Sequence, residues 1–253
     1  MKNKKTVIIT GGNRGIGLGI TKVFLRNNYN VFVGSRTGFS KESHNLNIKS
    51  VNHFKIDVRN FNDHVKLAKK AIELTGRLDS YINNAGYSKW VSINNIEEKF
   101  LNNILETNLK GVFWGCKAAA KFLNSENPSI INVSSLAGKR GSLNNSAYVA
   151  SKFGVNGLTQ SLAKELGEKN IRVNAVCPVL IATKGLIKAL EEEEAPGKKG
   201  AIKFIEEFSR INSPLNRMPT SEEVGEMCLY LASDKAKAIT GQCINVDCGV
   251  LPQ

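Results

Sequence analysis

No long apolar run opens this chain of 253 residues. The start, MKNKKTVIITGG, sets lysines before an apolar stretch of only Val7 to Ile9, too short for a secretory signal or a membrane span. A cytoplasmic protein with no membrane partner is therefore expected. Paired C-x-x-C spacing is missing as well. The five cysteines, Cys116, Cys177, Cys228, Cys243 and Cys248, are odd in number, which suits reduced thiols in a reducing compartment. Histidine is scarce: His44, His53 and His64 are scattered without a ligand pattern, so no metal is expected. No internal repeat or low-complexity linker divides the chain, and this length suits one α/β domain spanning residues 1–253.

Acidic residues do not balance the bases, and the formal net charge is +13. The bases are spread along the whole chain, and no basic stripe is interleaved with aromatics, so a nucleic-acid surface is not expected. The charge reads instead as a solvated lysine-rich surface that would steer a phosphate-bearing or otherwise acidic small molecule. Apolar residues make up 42% and charged residues 23%, the balance of an ordinary globular domain.

Short β-rich runs recur at Thr6–Thr10, Asn30–Ser35, Val51–Asp57, Leu78–Asn83, Ser129–Ser134, Ile171–Cys177 and Gln242–Val246. Segments with helical apolar spacing, such as Phe61–Gly76 and Ala147–Gly167, lie between most of them. This alternation predicts parallel strands with right-handed crossovers, a doubly wound α/β sheet covered by helices on both faces. The connection Thr37–Ser50 is too polar for a helix. Between Thr183 and Pro214, EEEEAPGKKG separates two apolar-bearing segments, which predicts two short helices joined by a turn. A surface hairpin and a mobile lid over a ligand crevice both fit that segment.

TGGNRGIG, Thr10 to Gly17, follows the first strand and opens a helix. Gly11 allows a sharp turn, Gly15 a close approach to a pyrophosphate, and Gly17 tight helix–strand packing, while the helix N-terminus offers N–H groups to the anion. In this context the loop reads as a dinucleotide site whose contacts include Asn13, Arg14 and Ile16. Further along, Tyr148 and Lys152 are four apart on a predicted helix and share a face. An ammonium there is expected to lower the phenol pKa and tune an acid or base for an alcohol–carbonyl pair. A serine hydroxyl at the carboxyl end of the strand Ser129–Ser134 would reach the same crevice.

With NNAG at Asn83–Gly86, N-V-S-S at Asn132–Ser135 and Y-V-A-S-K at Tyr148–Lys152 in that order, the whole chain resembles the short-chain dehydrogenase/reductase family. The resemblance implies a single-domain Rossmann fold with a mainly parallel seven-stranded sheet, and hydride transfer between a nicotinamide and a ketone or secondary alcohol. It assigns Ser135, rather than Ser134, together with Tyr148 and Lys152 to catalysis, and Asn108 to a water-linked proton relay from the lysine. It also implies cofactor contacts from Asp57, through its side chain to adenine, from Val58, from Asn84, Ala85 and Gly86, from Lys152 to the ribose, and from Pro178 and Thr183 near the carboxamide. Two positions depart from the family pattern. Val179 stands where glycine usually follows Pro178, and Cys248 replaces a common glycine near the end. Family members are often homodimers or homotetramers, so self-association is expected.

Arg36, nineteen residues after Gly17, ends the second strand where an acid would select NAD. With Arg14 and the Ser35 hydroxyl it predicts binding of the 2′-phosphate of NADP(H). Tyr87, Trp90, Asn144 and Asn145 are candidates for the substrate wall. The long Thr183–Pro214 segment suggests a polar ketone such as a sugar, polyol or keto acid derivative. A 3-oxoacyl acyl-carrier-protein reductase is the alternative within the family, and a catalytically silent NADP-binding sensor or scaffold is the alternative outside enzymology.

Overall fold

The apolar run TVIIT forms β1 (Thr6–Thr10), buried along its whole length, and hands the chain through the glycine loop to α1 (Gly15–Arg26). The computed structural model describes residues 4–39 and 50–252, so most of the polar Thr37–Ser50 connection, with His44, lies outside the described residues. Then follow β2 (Asn30–Ser35), β3 (Val51–Lys55), α2 (Phe61–Thr75), β4 (Ser80–Asn83), α3 (Glu98–Leu105), a π-helical stretch (Glu106–Lys110) and α4 (Gly111–Phe122). The second half runs β5 (Ser129–Val133), α5 (Ser146–Leu166), β6 (Arg172–Pro178), α6 (Lys184–Leu190), α7 (Ala201–Asn212), α8 (Ser221–Ala232) and β7 (Cys243–Val246).

The seven strands form one sheet in the order β3-β2-β1-β4-β5-β6-β7, and every pairing is parallel. This is the expected doubly wound Rossmann architecture. β1 and β2 match the predicted spans, and the other five strands are shifted by one or two residues at one or both ends; β3 stops at Lys55, which leaves Asp57 and Val58 in the loop beyond it. Alternate side chains of each strand enter opposite cores. Ile8, Phe32, Tyr81, Ile130 and Val173 face one core with residues of α2, α4 and α5. Val7, Ile9, Val33, Ile82 and Ile131 face the other, which α1 and α8 close. Those two helices touch because glycines bring them together: a Cβ at Gly19 would lie 2.5 Å from the Ser221 backbone.

The strand order reverses between β1 and β4, and the carboxyl ends diverge there into a crevice. Thr10 bridges the two sides. Its hydroxyl accepts the N–H groups of Asn84 at 3.0 Å and Ala85 at 3.1 Å, fixing NNAG beside the glycine loop.

The segment 183–214 contains α6 and α7 as the predicted pair of short helices. They have an apolar cluster of their own, Ala189, Leu190, Ala195, Ala201 and Ile205, built around Trp90 from the loop after β4. The turn between them is fastened to that same loop. The Glu194 carboxylate accepts the Ser92 N–H and the Asn95 amide, Lys89 pairs with Glu192 at 3.3 Å, and Asn144 Nδ2 donates to the Glu194 carbonyl at 3.2 Å.

Candidate active site

The crevice holds a cavity of about 1060 Å³. Every catalytic and cofactor-binding candidate read from the sequence lines it except Asn108.

At one end lies the glycine loop. Gly11 has φ +66°, in the left-handed region where a side chain is strained, and a Cβ at Gly17 would fall 2.2 Å from the Gly11 carbonyl oxygen. The first helical bond of α1 runs from Leu18 N–H to Arg14 O at 3.1 Å, so the earlier N–H groups of the helix lack intrahelical acceptors. Asn13 lines the wall, but its amide ties the loop to the end of β2, donating to the Gly38 carbonyl at 2.8 Å and the Thr37 carbonyl at 3.2 Å. That tie holds the loop carrying Arg14 next to the strand end carrying Arg36. The Ser35 hydroxyl, expected to meet a phosphate, donates to the Thr37 carbonyl at 2.7 Å and sits 2.8 Å from His53 Nε2, so it shapes the turn that presents Arg36.

Asp57 lines the next part of the wall, and its partly exposed carboxylate is paired with Arg59. Arg59 Nη2 donates to Oδ2 at 2.6 Å and Nε to both oxygens at 3.0 Å. Chiefly through these bonds, the Asp57 carboxyl is held below the usual carboxylate range. Sequence reading passed over Arg59. A base two residues after an acid in D-V-R was the available signal, but helical and strand spacing say nothing about pairing inside a loop.

Toward the cavity's centre stand the catalytic candidates. Ser135 follows β5, its Oγ accepting the Ala137 N–H at 3.1 Å. Tyr148 and Lys152 occupy the first turns of α5. Lys152 is buried, donates to the Val133 carbonyl at 2.8 Å, and holds its Nζ 5.7 Å from the centre of the Tyr148 ring. Here the expectation of a phenol pKa lowered by the ammonium needs correction. Burial raises the Tyr148 pKa, and the nearby Ser135 hydroxyl only partly offsets the rise. Burial also pulls Lys152 itself down to about 8. The Lys152 Nζ is directed to the Val133 carbonyl and lies over the phenol ring, so its charge is not aimed at the phenol oxygen. Ser134, the neighbour set aside, donates to the Lys152 carbonyl at 3.3 Å and steadies α5.

Asn108 sits in the π-helical stretch, fully buried. Its Oδ1 accepts the Tyr87 N–H at 3.0 Å and its Nδ2 donates to the Tyr87 carbonyl at 2.8 Å. The side chain fixes the loop after NNAG instead of facing the cavity.

Across the cavity, Gly15 faces Thr183: a Cβ on the glycine would be 3.5 Å from Thr183 Cγ2. The Thr183 hydroxyl caps α6 by accepting the Leu186 N–H at 3.2 Å. Val179 is absent from the described residues with positive φ, so the loop after Pro178 does not use glycine's freedom. Cys248 is different. It adopts φ +56°, the conformation that suits the glycine it replaces.

Beyond Ser135 and Tyr148 the wall changes character. Trp90, Leu186, Ala189, Phe204 and Phe208 supply apolar surface, and Arg140, Ser142 and Asn145 a polar edge. The two asparagines before α5 part company. Asn144 is a turn residue at φ +54° whose carbonyl accepts the Val91 N–H, whereas Asn145 is buried with Oδ1 unpaired, as is Nε1 of Trp90.

These features fit a dinucleotide: a helix N-terminus open to a pyrophosphate, guanidinium groups beside it, and a Ser, a Tyr and a Lys farther along the same cavity. The fold and cavity thus define a doubly wound dinucleotide-binding protein. A family model described as enoyl-(acyl carrier protein) reductase matches residues 11–251. The chain is 35% identical to the 3-oxoacyl acyl-carrier-protein reductase FabG of Staphylococcus aureus, with 99% of each chain covered. It is 34% identical to FabG of Thermotoga maritima, with 98% of each covered. Among solved structures, the ligand-free aldohexose dehydrogenase of Thermoplasma acidophilum superposes with a TM-score of 0.87 at 31% identity, over 99% of this chain and 98% of that one. A single-residue variant of the actinorhodin polyketide ketoreductase, solved with NADPH, superposes at 0.88 and 29% identity, with the same coverage. The chain belongs to the short-chain dehydrogenase/reductase family, oxidoreductases that act on carbonyl and alcohol groups with a nicotinamide cofactor. Among the described residues no helix is long and apolar enough to cross a membrane.

Proposed function

We propose that the protein is an NADP(H)-dependent reductase that converts a ketone to a secondary alcohol, and that residues 1–253 act as one catalytic domain with α6 and α7 as its substrate lid. The observation that carries the reading is the sharing of one cavity by Arg14, Arg36, Ser135, Tyr148 and Lys152. The N–H groups at the start of α1 bind the pyrophosphate, Arg36 and Arg14 hold the 2′-phosphate, and Thr183 and the loop from Pro178 receive the carboxamide. The nicotinamide, when bound, supplies the hydride. Ser135 donates a hydrogen bond to the substrate carbonyl and steadies the charge that develops on its oxygen. Tyr148, whose raised pKa keeps it protonated, delivers its proton to that oxygen. Lys152 holds the ribose and replenishes the phenol's proton, a task suited to an ammonium with a pKa near 8. Asn108 acts through the Tyr87 backbone as a positioning residue.

The substrate reading moves from a polar ketone toward a 3-oxoacyl thioester. Trp90, Leu186, Phe204 and Phe208 offer an acyl chain apolar surface that a sugar would leave unsatisfied, and the FabG relatives carry that activity in their names. The Trp90 Nε1 and Asn145 Oδ1 atoms, buried without partners, favour the second reading, a ketone bearing a hydroxyl. NADPH oxidation with acetoacetyl thioesters and with a panel of keto-sugars separates the two. Turnover of thioesters supports the first reading, and turnover confined to keto-sugars overturns it. Tight NADPH binding with no turnover of either panel would point to a silent sensor.

A further inference from the structure

Asp57 is the one carboxylate among the described residues that line the cavity, and it stands at the end where Arg36 lies, near enough for the Arg36 charge to act on it, though less than Arg59 does. A bare carboxylate on this wall would oppose a phosphate dianion placed beside Arg36. The wall is not bare. Arg59 reaches back two residues and covers both oxygens, Nη2 to Oδ2 at 2.6 Å and Nε to Oδ1 and Oδ2 at 3.0 Å, while its own N–H donates to Oδ1 at 3.0 Å. The next acid along, Asp63, lies outside the lining. Its Oδ2 accepts the Asp57 N–H at 3.0 Å, and Lys66 stands 3.7 Å from its other oxygen. Glu106 also acts on Arg59 through its charge.

The pair is partly exposed, the Arg59 side chain at 38% and the Asp57 side chain at 31%, and ion pairs of that kind add little to stability. Its consequence lies in the field at the adenosine end. With Arg59 in place the acid is cancelled, and Arg14 and Arg36 act unopposed. Arginine suits the task because its planar fork meets both carboxylate oxygens at once, which a lysine cannot do.

We propose that Arg59 is a positioning residue for cofactor choice, which masks the Asp57 carboxylate so that the adenosine end of the cavity accepts a 2′-phosphate. This rests on the reading of the cofactor as NADP(H). The test is direct binding, by calorimetric titration of NADPH and of NADH into the purified protein and into the R36Q, R59Q, D57N and D57N/R59Q variants. Wild type should bind NADPH more tightly than NADH. R59Q should weaken NADPH by about tenfold while changing NADH by less than about threefold, the retained NADH affinity serving as the control for folding. D57N/R59Q should recover most of the lost NADPH affinity, since the carboxylate that needed masking is gone. Two results would overturn the inference: an unchanged NADPH-to-NADH ratio in R59Q when R36Q collapses it, or a double variant as weak as R59Q. A wild type that binds NADH as tightly as NADPH, with a ratio indifferent to R36Q, would instead remove the NADP(H) reading and the inference with it.

Discussion

The Lys152 Nζ donates to the Val133 carbonyl at 2.8 Å, so the lysine that ends the Y-V-A-S-K motif is anchored to the strand that precedes Ser135. The anchor places a cationic group inside the protein, and burial draws its pKa from 10.5 to about 8. The unfolded chain therefore binds more protons than the folded one between those values, and stability must rise with pH across that window. Below pH 8 the penalty is present in full and constant. Urea unfolding at pH 7 and pH 10 should show wild type gaining on Lys152→Met by at most roughly 3 kcal/mol as the pH rises. A difference that does not change with pH would show that the lysine is not held in this buried state.

Gly17 has no room for a side chain, since a Cβ would overlap the Gly11 carbonyl oxygen. Gly17→Ala should push the loop off α1, cost roughly 1–3 kcal/mol of stability and weaken cofactor binding at least tenfold. Thermal melts with and without NADPH measure both effects. A variant that melts and binds like wild type would count against the packing described.

Cys248 stands at φ +56° beside Gly249 at φ +85°. Cys248→Gly removes the cost of holding a side chain in the left-handed region and should stabilise the protein by about 1 kcal/mol, less the extra freedom that glycine gives the unfolded chain. Val179→Gly should bring no such gain, because Val179 does not have positive φ. Unfolding curves of the two variants side by side provide the check.

The α6–α7 hairpin is held down by Glu194, which receives the Ser92 N–H and the Asn95 amide. If the hairpin closes over substrate, Glu194→Ala should raise KM for the substrate several-fold, leave kcat within about twofold, and speed proteolysis in the 191–200 turn. Equal proteolysis rates would separate the hairpin from this latch.

The sheet was legible because buried parallel strands must be short apolar runs, and VIIT, VFV and SIINV are bounded by glycines or by polar turns. The glycine loop was legible for a different reason: Gly17 has no room for a Cβ, and Gly11 and Gly15 hold a positive φ that favours glycine. Side-chain direction was not. Four-residue spacing put Tyr148 and Lys152 on one face, but it could not show that Lys152 spans to Val133, a tertiary contact that alters the electrostatics expected for the phenol. Asn13 Nδ2 and the Ser35 hydroxyl fasten the loop after β2, contacts that position in the chain does not reveal. Arg59 escaped notice since its partner lies two residues away in a loop. The seat of Trp90 in the α6–α7 cluster joins segments about a hundred residues apart, beyond the reach of periodicity.

The central claim, proton delivery by Tyr148 during NADPH-dependent carbonyl reduction, is tested most directly by following NADPH oxidation with acetoacetyl thioesters and keto-sugars in wild type and Tyr148→Phe. The account predicts turnover of at least one panel by wild type and a loss of roughly a hundredfold or more in the variant, with NADPH affinity kept within a few-fold. Full turnover by Tyr148→Phe would contradict it.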